Sequence, residues 1–287
     1  FGVVLRERRR FLMKKLVLFL AAIATLALLL AGCGSDTKSD NGAAKIDPNK
    51  EITVGVTAGP HAQVMDFVAK EAAKQGLKVK VVEFNDYIQP NIALEQKELT
   101  ANSYQHQPFL DNMVKERGLH LTSIGKTILL PMGLYSNKYK DLTKVPEGAS
   151  VAIPNDPTNG GRALLLLQQA GLLKLKDGGS PKSTVNDIVD NPKKLQIKEL
   201  EAAQIARSLN DVDIACVNTN YALASGLNPL KDAVVVESKD SPYANVFVVR
   251  DADKDDPTIK KLLSIYQSPE TKKFIEDTFK GSIIPAF

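Results

Sequence analysis

The residues able to do chemistry fall into three short clusters, and their types suit holding a small molecule better than breaking one. The first is Val151-Ala-Ile-Pro-Asn-Asp-Pro-Thr-Asn159-Gly-Gly-Arg162, running directly into Ala163-Leu-Leu-Leu-Leu-Gln-Gln-Ala-Gly171. This order reads as strand, Asn/Gly-rich turn and helix start. Free backbone N–H groups at a helix N-terminus, with the positive end of the dipole, favour an anion. Arg162, placed in the first turn by this reading, adds a planar fork suited to a carboxylate. The competing reading is a surface arginine paired with a local acid. A phosphate loop is not indicated, because the Gly-Lys-Ser/Thr ending is missing.

The second cluster, Asn102-Ser-Tyr104-Gln-His106-Gln-Pro-Phe109-Leu110, sets two aromatics and an imidazole close together at an expected loop-to-helix boundary. It suits a wall for an apolar side chain with some polarity, and equally suits core aromatics beside a satisfied buried histidine. The third, Val217-Asn218-Thr-Asn220-Tyr221, follows a strand-like run, and Asn245 precedes another. Side-chain amides there can serve the charged groups of a zwitterion or simply cap turns. Catalysis finds no support. His61, His106 and His120 show no metal-ligand spacing, and neither a zincin motif nor a nucleophile elbow is present, so no enzyme, metal or cofactor is expected. The lack of Trp weighs against a sugar-stacking groove.

Strands alternating with helices must position these clusters. Ile52–Val56 reads as a strand, Gln63–Gln75 as a helix stopped by Gly76, Leu77–Glu83 as a strand and Ile92–Leu99 as a helix. Thr127–Tyr135 is apolar but interrupted by Pro131, which suggests a crossover. A second α/β series begins at Val151 with helix Arg162–Ala170, strand Leu195–Glu199, helix Ala202–Leu209 and strand Asp213–Val217. Strand Ala244–Arg250 then leads to helices near Pro257–Tyr266 and Pro269–Phe279. The alternation predicts an α/β protein with parallel sheets and helices on both faces. Ligands in such folds sit at the carboxyl ends of strands, so the loops after strands are the places to search.

The 287 residues carry a formal charge of +4, but the surplus is local. Six of the 37 basic and one of the 33 acidic residues precede Cys33, leaving 31 basic against 32 acidic beyond it, so nucleic acid is not an expected partner. Met13-Lys-Lys15, the apolar run Leu16–Ala31 and Leu30-Ala-Gly-Cys33 read as a secretory signal ending in a lipobox, with Cys33 acylated. The run is shorter than the ~20 residues of a spanning helix. Residues 1–12 read as an upstream extension, so 1–32 is extension plus signal peptide and 33–50 is lipid anchor and polar tether. Cys216, in an apolar run, reads as a buried thiol; with Cys33 committed to lipid, no intramolecular disulfide can form.

Taken together, Tyr104-Gln-His-Gln-Pro-Phe109-Leu, Val151-Ala-Ile-Pro-Asn-Asp-Pro-Thr-Asn159, Arg162-Ala-Leu-Leu-Leu-Leu-Gln, Asn218-Thr-Asn-Tyr-Ala222 and Ser241-Pro-Tyr-Ala-Asn245 resemble the NlpA/MetQ-type substrate-binding lipoproteins of bacterial methionine importers. The similarity extends from Ile52 to the C-terminus. It implies a two-lobed, type II periplasmic-binding-protein fold with two hinge segments: lobe 1 from 51–129 plus 244–287, and lobe 2 from 130–243, with hinges near Pro131–Leu134 and Ser241–Ala244. By the same resemblance Arg162 binds the ligand carboxylate, while Asn218 and Asn245 bind the head group. Tyr87, Tyr104, His106 and Phe109 enclose the side chain, and Asn159 and Asn220 join the ligand set. Many relatives carry Tyr where this chain has Phe109. The implied function is extracytoplasmic capture of L-methionine, or D-methionine, by a lipid-anchored monomer on the cell membrane, with delivery to the permease of an ATP-binding cassette importer. A methionine-containing dipeptide, another amino acid, or a role as surface adhesin are the alternatives.

Overall fold

The computed structural model describes residues 50–287, so the expected signal peptide, Cys33 and most of the tether lie outside the described residues. The element order is β1 (Ile52–Thr57), α1 (Pro60–Lys74), β2 (Val79–Phe84), α2 (Gln89–Glu95), β3 (Ala101–His106), α3 (Gln107–Arg117), β4 (Leu121–Lys126) and β5 (Ile128–Leu129). There follow β6 (Gly133–Tyr135), β7 (Ser150–Pro154), α4 (Pro157–Gln169), β8 (Lys174–Leu175), β9 (Ile188–Asp190), β10 (Gln196–Leu200), α5 (Ala202–Ile205), β11 (Ile214–Val217) and α6 (Thr219–Ala224). The chain closes with β12 (Val235–Val236), β13 (Asn245–Arg250), α7 (Pro257–Tyr266), α8 (Pro269–Phe279) and β14 (Ile284–Pro285).

Two five-stranded sheets organise two lobes, in the orders β2-β1-β3-β13-β4 and β10-β7-β11-β6-β12. Contrary to the all-parallel expectation, each sheet is mixed. In the first, β13 runs against both β3 and β4; in the second, β6 runs against both β11 and β12. The reason is topological. β6 and β13 are the first strands laid down after the chain crosses from one sheet to the other, between Lys126 and Gly133 and between Val236 and Asn245. A chain arriving from the other lobe starts its strand at the inter-lobe end, whereas β1, β3, β7 and β11 finish there.

Each sheet buries apolar side chains on both faces. In the first lobe, Val54, Val56, Val64, Met65, Val68, Leu262 and Ile275 form one core, and Leu94, Leu110, Met113 and Val248 form another across the sheet. The second lobe repeats this with Val151, Ile153, Leu164, Leu167 and Ile214 on one side and Ile205, Leu209, Ala215 and Val217 on the other. Helix α1 shows how the pattern works: His61, Val64, Met65, Val68 and Ala72 recur at three- and four-residue spacing and form its buried face.

Three local expectations need correction. The stretch from Asn102 is not a loop: Ala101–His106 is a central strand, and its six residues are all buried despite their polarity. Helix α4 starts at Pro157, five residues earlier than expected, so Arg162 stands in its second turn. Asp156 caps that helix and Pro157 is preset for the first helical position, a start signal stronger than the Gly pair that follows. The stretch expected as helix 202–209 is a short α5 followed by a 3-10 turn at Arg207–Asn210. Among the described residues, no helix is long and apolar enough to cross a membrane.

Candidate functional site

The carboxyl ends of β1, β2, β3, β7 and β11 and the amino end of β13 converge on one cavity between the lobes. All nine residues singled out from sequence (Tyr87, Tyr104, His106, Phe109, Asn159, Arg162, Asn218, Asn220 and Asn245) line it, together with His61, Gln105, Leu130 and Thr219. The non-atom space among them amounts to ≈ 350 Å³ with open solvent included. Backbone register explains part of the convergence, since Asn245, the first residue of β13, pairs with His106, the last of β3.

One wall is aromatic. The Tyr87 and Phe109 rings meet edge-on at 5.9 Å, Tyr104 and Phe109 at 6.4 Å, and Tyr87 lies 5.0 Å from Tyr221. The polar atoms of this wall are engaged by bonds within the protein. Tyr104 donates its hydroxyl to the Tyr87 carbonyl at 2.6 Å, and Tyr87 donates to Asn220 Oδ1 at 2.6 Å. His106 Nδ1 accepts the Phe109 backbone N–H at 3.1 Å, capping α3, so its proton sits on Nε2 and is donated to Asn159 Oδ1 at 3.1 Å. Burial, reinforced by Arg162, lowers the pKa of His106 to about 3 and keeps it neutral. What the wall offers a ligand is π surface and C–H edge.

Asn159 and Asn220 line the cavity and are also bonded within the protein. Asn159 Oδ1 also accepts from Asn218 Nδ2 at 2.9 Å, and its own amide donates to both Asp156 carboxylate oxygens at 3.0 and 3.1 Å. Asp156 also takes the Asn159 backbone N–H at 2.9 Å, so the α4 N-terminus is served by the chain's own carboxylate and is not a free anion site. Asn220 receives the Tyr87 hydroxyl and reaches Thr57 Oγ1 at 3.4 Å. Both amides tie the lobes together.

Other residues of the lining keep unspent polar capacity. Asn218 Oδ1 is buried without a hydrogen-bond partner among the described residues. Asn245 Oδ1 lies 2.8 Å from His61 Nε2, while His61 Nδ1 lies 2.7 Å from Thr57 Oγ1. An amide oxygen only accepts, so His61 carries its proton on Nε2 and the Asn245 amide N–H groups remain for another acceptor. Burial lowers the His61 pKa to about 4. His61 was absent from the sequence-derived set, although its place just beyond the end of β1 is the kind of position that flagged the others.

Arg162 is buried and paired, though not with a local acid. Nε donates to Glu237 Oε1 at 2.9 Å, Nη2 donates to Glu237 Oε2 at 2.5 Å and to the Leu130 carbonyl at 2.8 Å, and the Tyr243 ring centre lies 4.4 Å from the guanidinium carbon. The Nη1 donors have no partner among the described residues. Glu237 carried no sequence signal, being remote from Arg162 in an irregular segment, and Tyr243 stood out only as part of the Ser241–Asn245 motif. Cys216 lies wholly buried in β11, where burial pushes its thiol pKa up.

The family model described as NlpA lipoprotein matches residues 52–287. The D-methionine-binding lipoprotein MetQ of Salmonella typhi is 48% identical over 270 residues, covering 92% of this chain and 96% of the relative. Among solved structures, a nutrient binding protein from Burkholderia cenocepacia bound to methionine matches with a TM-score of 0.80 and 55% identity, covering 82% of this chain and all (100%) of the other. A periplasmic substrate-binding protein of an ABC transporter from Coxiella burnetii matches with a TM-score of 0.79 and 47% identity, at 82% and 100% coverage. The chain belongs to the NlpA lipoprotein family.

Proposed function

We propose that this protein captures methionine outside the cytoplasm and delivers it to an ATP-binding cassette importer, hydrolysing nothing itself. The observation that carries the reading is the division of the cavity. The lining divides by bonding capacity: the Arg162 Nη1 donors, the Asn245 amide and the orphan Asn218 Oδ1 remain open, whereas every tyrosine and histidine polar atom of the Tyr87/Tyr104/His106/Phe109 wall is already bonded. That suits an α-amino acid whose side chain is apolar. Its carboxylate meets Arg162 and Asn245, its ammonium donates to Asn218 Oδ1, and its side chain lies against the rings. Sulfur–aromatic contacts of about 0.3–1.5 kcal/mol each favour a thioether over an aliphatic isostere.

The names and bound ligand of the relatives point the same way, and the D-methionine in the name of the Salmonella typhi relative makes the D-enantiomer a second ligand to test. The lobes are taken as 51–129 with 244–287, and 130–243, closing about Pro131–Leu134 and Ser241–Ala244. The chain acts as a monomer held to the membrane through Cys33, with the permease as its partner. A Cys33→Ser variant should leave the membrane fraction; continued membrane retention with no acyl mass on the native protein would contradict the anchoring. Titration of ligand-stripped protein with L- and D-methionine tests the ligand itself, and absence of binding by both would refute it.

A further inference from the structure

Arg162 projects from α4, yet everything that grips its guanidinium comes from the two crossings between the lobes. Leu130 supplies a carbonyl from the first; Glu237 and Tyr243 supply a carboxylate and a ring from the second. Glu237 also accepts the Met132 backbone N–H at 3.1 Å, so one carboxylate receives three donors and joins both crossings. Arg162 is 4% exposed and the Glu237 side chain 11%, so little water screens either charge.

We infer that Glu237 is a positioning and charge-setting residue of the ligand site. It fixes Arg162 so that Nη1 is the edge presented to ligand, and it cancels the arginine's charge so that the site selects a zwitterion over a monoanion. This inference rests on the amino-acid reading above. With Arg162 and Glu237 both present the pair is neutral, and a zwitterion leaves it neutral. An acid lacking the amino group brings an unbalanced negative charge into a poorly hydrated cavity and leaves Asn218 Oδ1 unpartnered. Neutralising position 237 shrinks the preference, because an uncompensated guanidinium is offset best by a monoanion. Glutamine has nearly the same shape, but its amide turns a donor towards Nε–H, Nη2–H or Met132 N–H, all of which donate. The guanidinium then loses its fixed aim.

The test is calorimetric titration of ligand-stripped wild type, Glu237→Gln and Glu237→Asp with L-methionine and with its deaminated analogue, 4-(methylthio)butanoate. Wild type should prefer methionine. In Glu237→Gln that preference should shrink about fivefold or more, with methionine itself bound more weakly. Glu237→Asp, which keeps the charge on a shorter stem, should weaken both ligands while retaining the preference. An unchanged preference in Glu237→Gln, or its equal loss in Glu237→Asp, overturns the inference. If Glu237→Gln does not fold, the aspartate variant decides: a retained preference supports the charge role and a lost one refutes it. Wild type that ignores methionine would overturn the amino-acid reading along with this one, whereas wild type that binds while the variants behave identically overturns this one alone.

Discussion

Arg162 and the two buried histidines are the residues whose removal or protonation should be felt most. Truncating one member of a desolvated charged contact costs about 2–5 kcal/mol of binding, so Arg162→Ala should weaken methionine by roughly thirtyfold or more in calorimetry. The same change leaves the Glu237 carboxylate buried and unpaired, so a stability loss of about 3–5 kcal/mol should accompany it in denaturant melts. An arginine reaching only for ligand, as the sequence suggested, would have been nearly free to remove. His61 and His106 make a second prediction. Unfolded histidines take up protons near pH 6.5, whereas these two stay neutral until about pH 4 and about pH 3. Between those limits the unfolded state binds more protons, so stability falls as the pH drops below 6.5, by up to about 2 kcal/mol per histidine at pH 5. His61→Gln, whose amide can still donate to Asn245, should show a shallower loss between pH 7 and pH 5; an identical slope would exclude His61 from the effect. Eight of the nine named cavity residues lie in the clusters marked by residue chemistry and position along the chain, and their roles, like Tyr87 itself, came through the family resemblance. Glu237 was not legible, because nothing local distinguishes an acid that pairs across 75 positions from one facing solvent.

At the scale of elements, α4 carries Arg162 into the cavity, and its seat depends on the absence of side chains at Gly160 and Gly161. A Cβ on Gly161 would come within 2.5 Å of the Pro181 carbonyl oxygen and 3.1 Å of that of Ser183, both backbone atoms with little room to yield. Gly161→Ala should therefore displace the helix from the Pro181–Ser183 turn at a cost of about 1–3 kcal/mol and weaken ligand binding with it. Unchanged melting and affinity would show that the seat is looser than drawn. The strands and helices with plain periodicity were readable in advance. Less readable was β3, whose buried Asn102 and Gln105 satisfy each other and Asn91 through side-chain bonds instead of displaying an apolar pattern. The early start of α4 escaped notice because the glycines looked like turn while Asp156-Pro157 had already begun the helix.

For the whole molecule, bonds that bridge the cavity from one lobe to the other define the joined arrangement: Tyr87 to Asn220, His106 to Asn159, and Tyr221 to the Asn85 carbonyl at 3.4 Å. None could be foreseen from spacing, since each joins segments from different lobes. Ligand lying among these groups should favour the closed form through its differential affinity for it. Stripped protein should thus compact on adding methionine in solution scattering, and Tyr87→Phe, lacking one bridge, should need more methionine to reach the same compaction. Superimposable profiles with and without saturating ligand would contradict hinge closure. The central claim, that this cavity is built for methionine, is tested most directly by calorimetry on protein unfolded, dialysed and refolded to remove any ligand, titrated with L-methionine and L-leucine in parallel. The account predicts that methionine binds with a dissociation constant between micromolar and nanomolar, about 8–12 kcal/mol, and that leucine, lacking sulfur and branching before it can reach the Tyr104 and Phe109 rings, binds more weakly. Equal affinity for the two, or no binding of methionine, would contradict it.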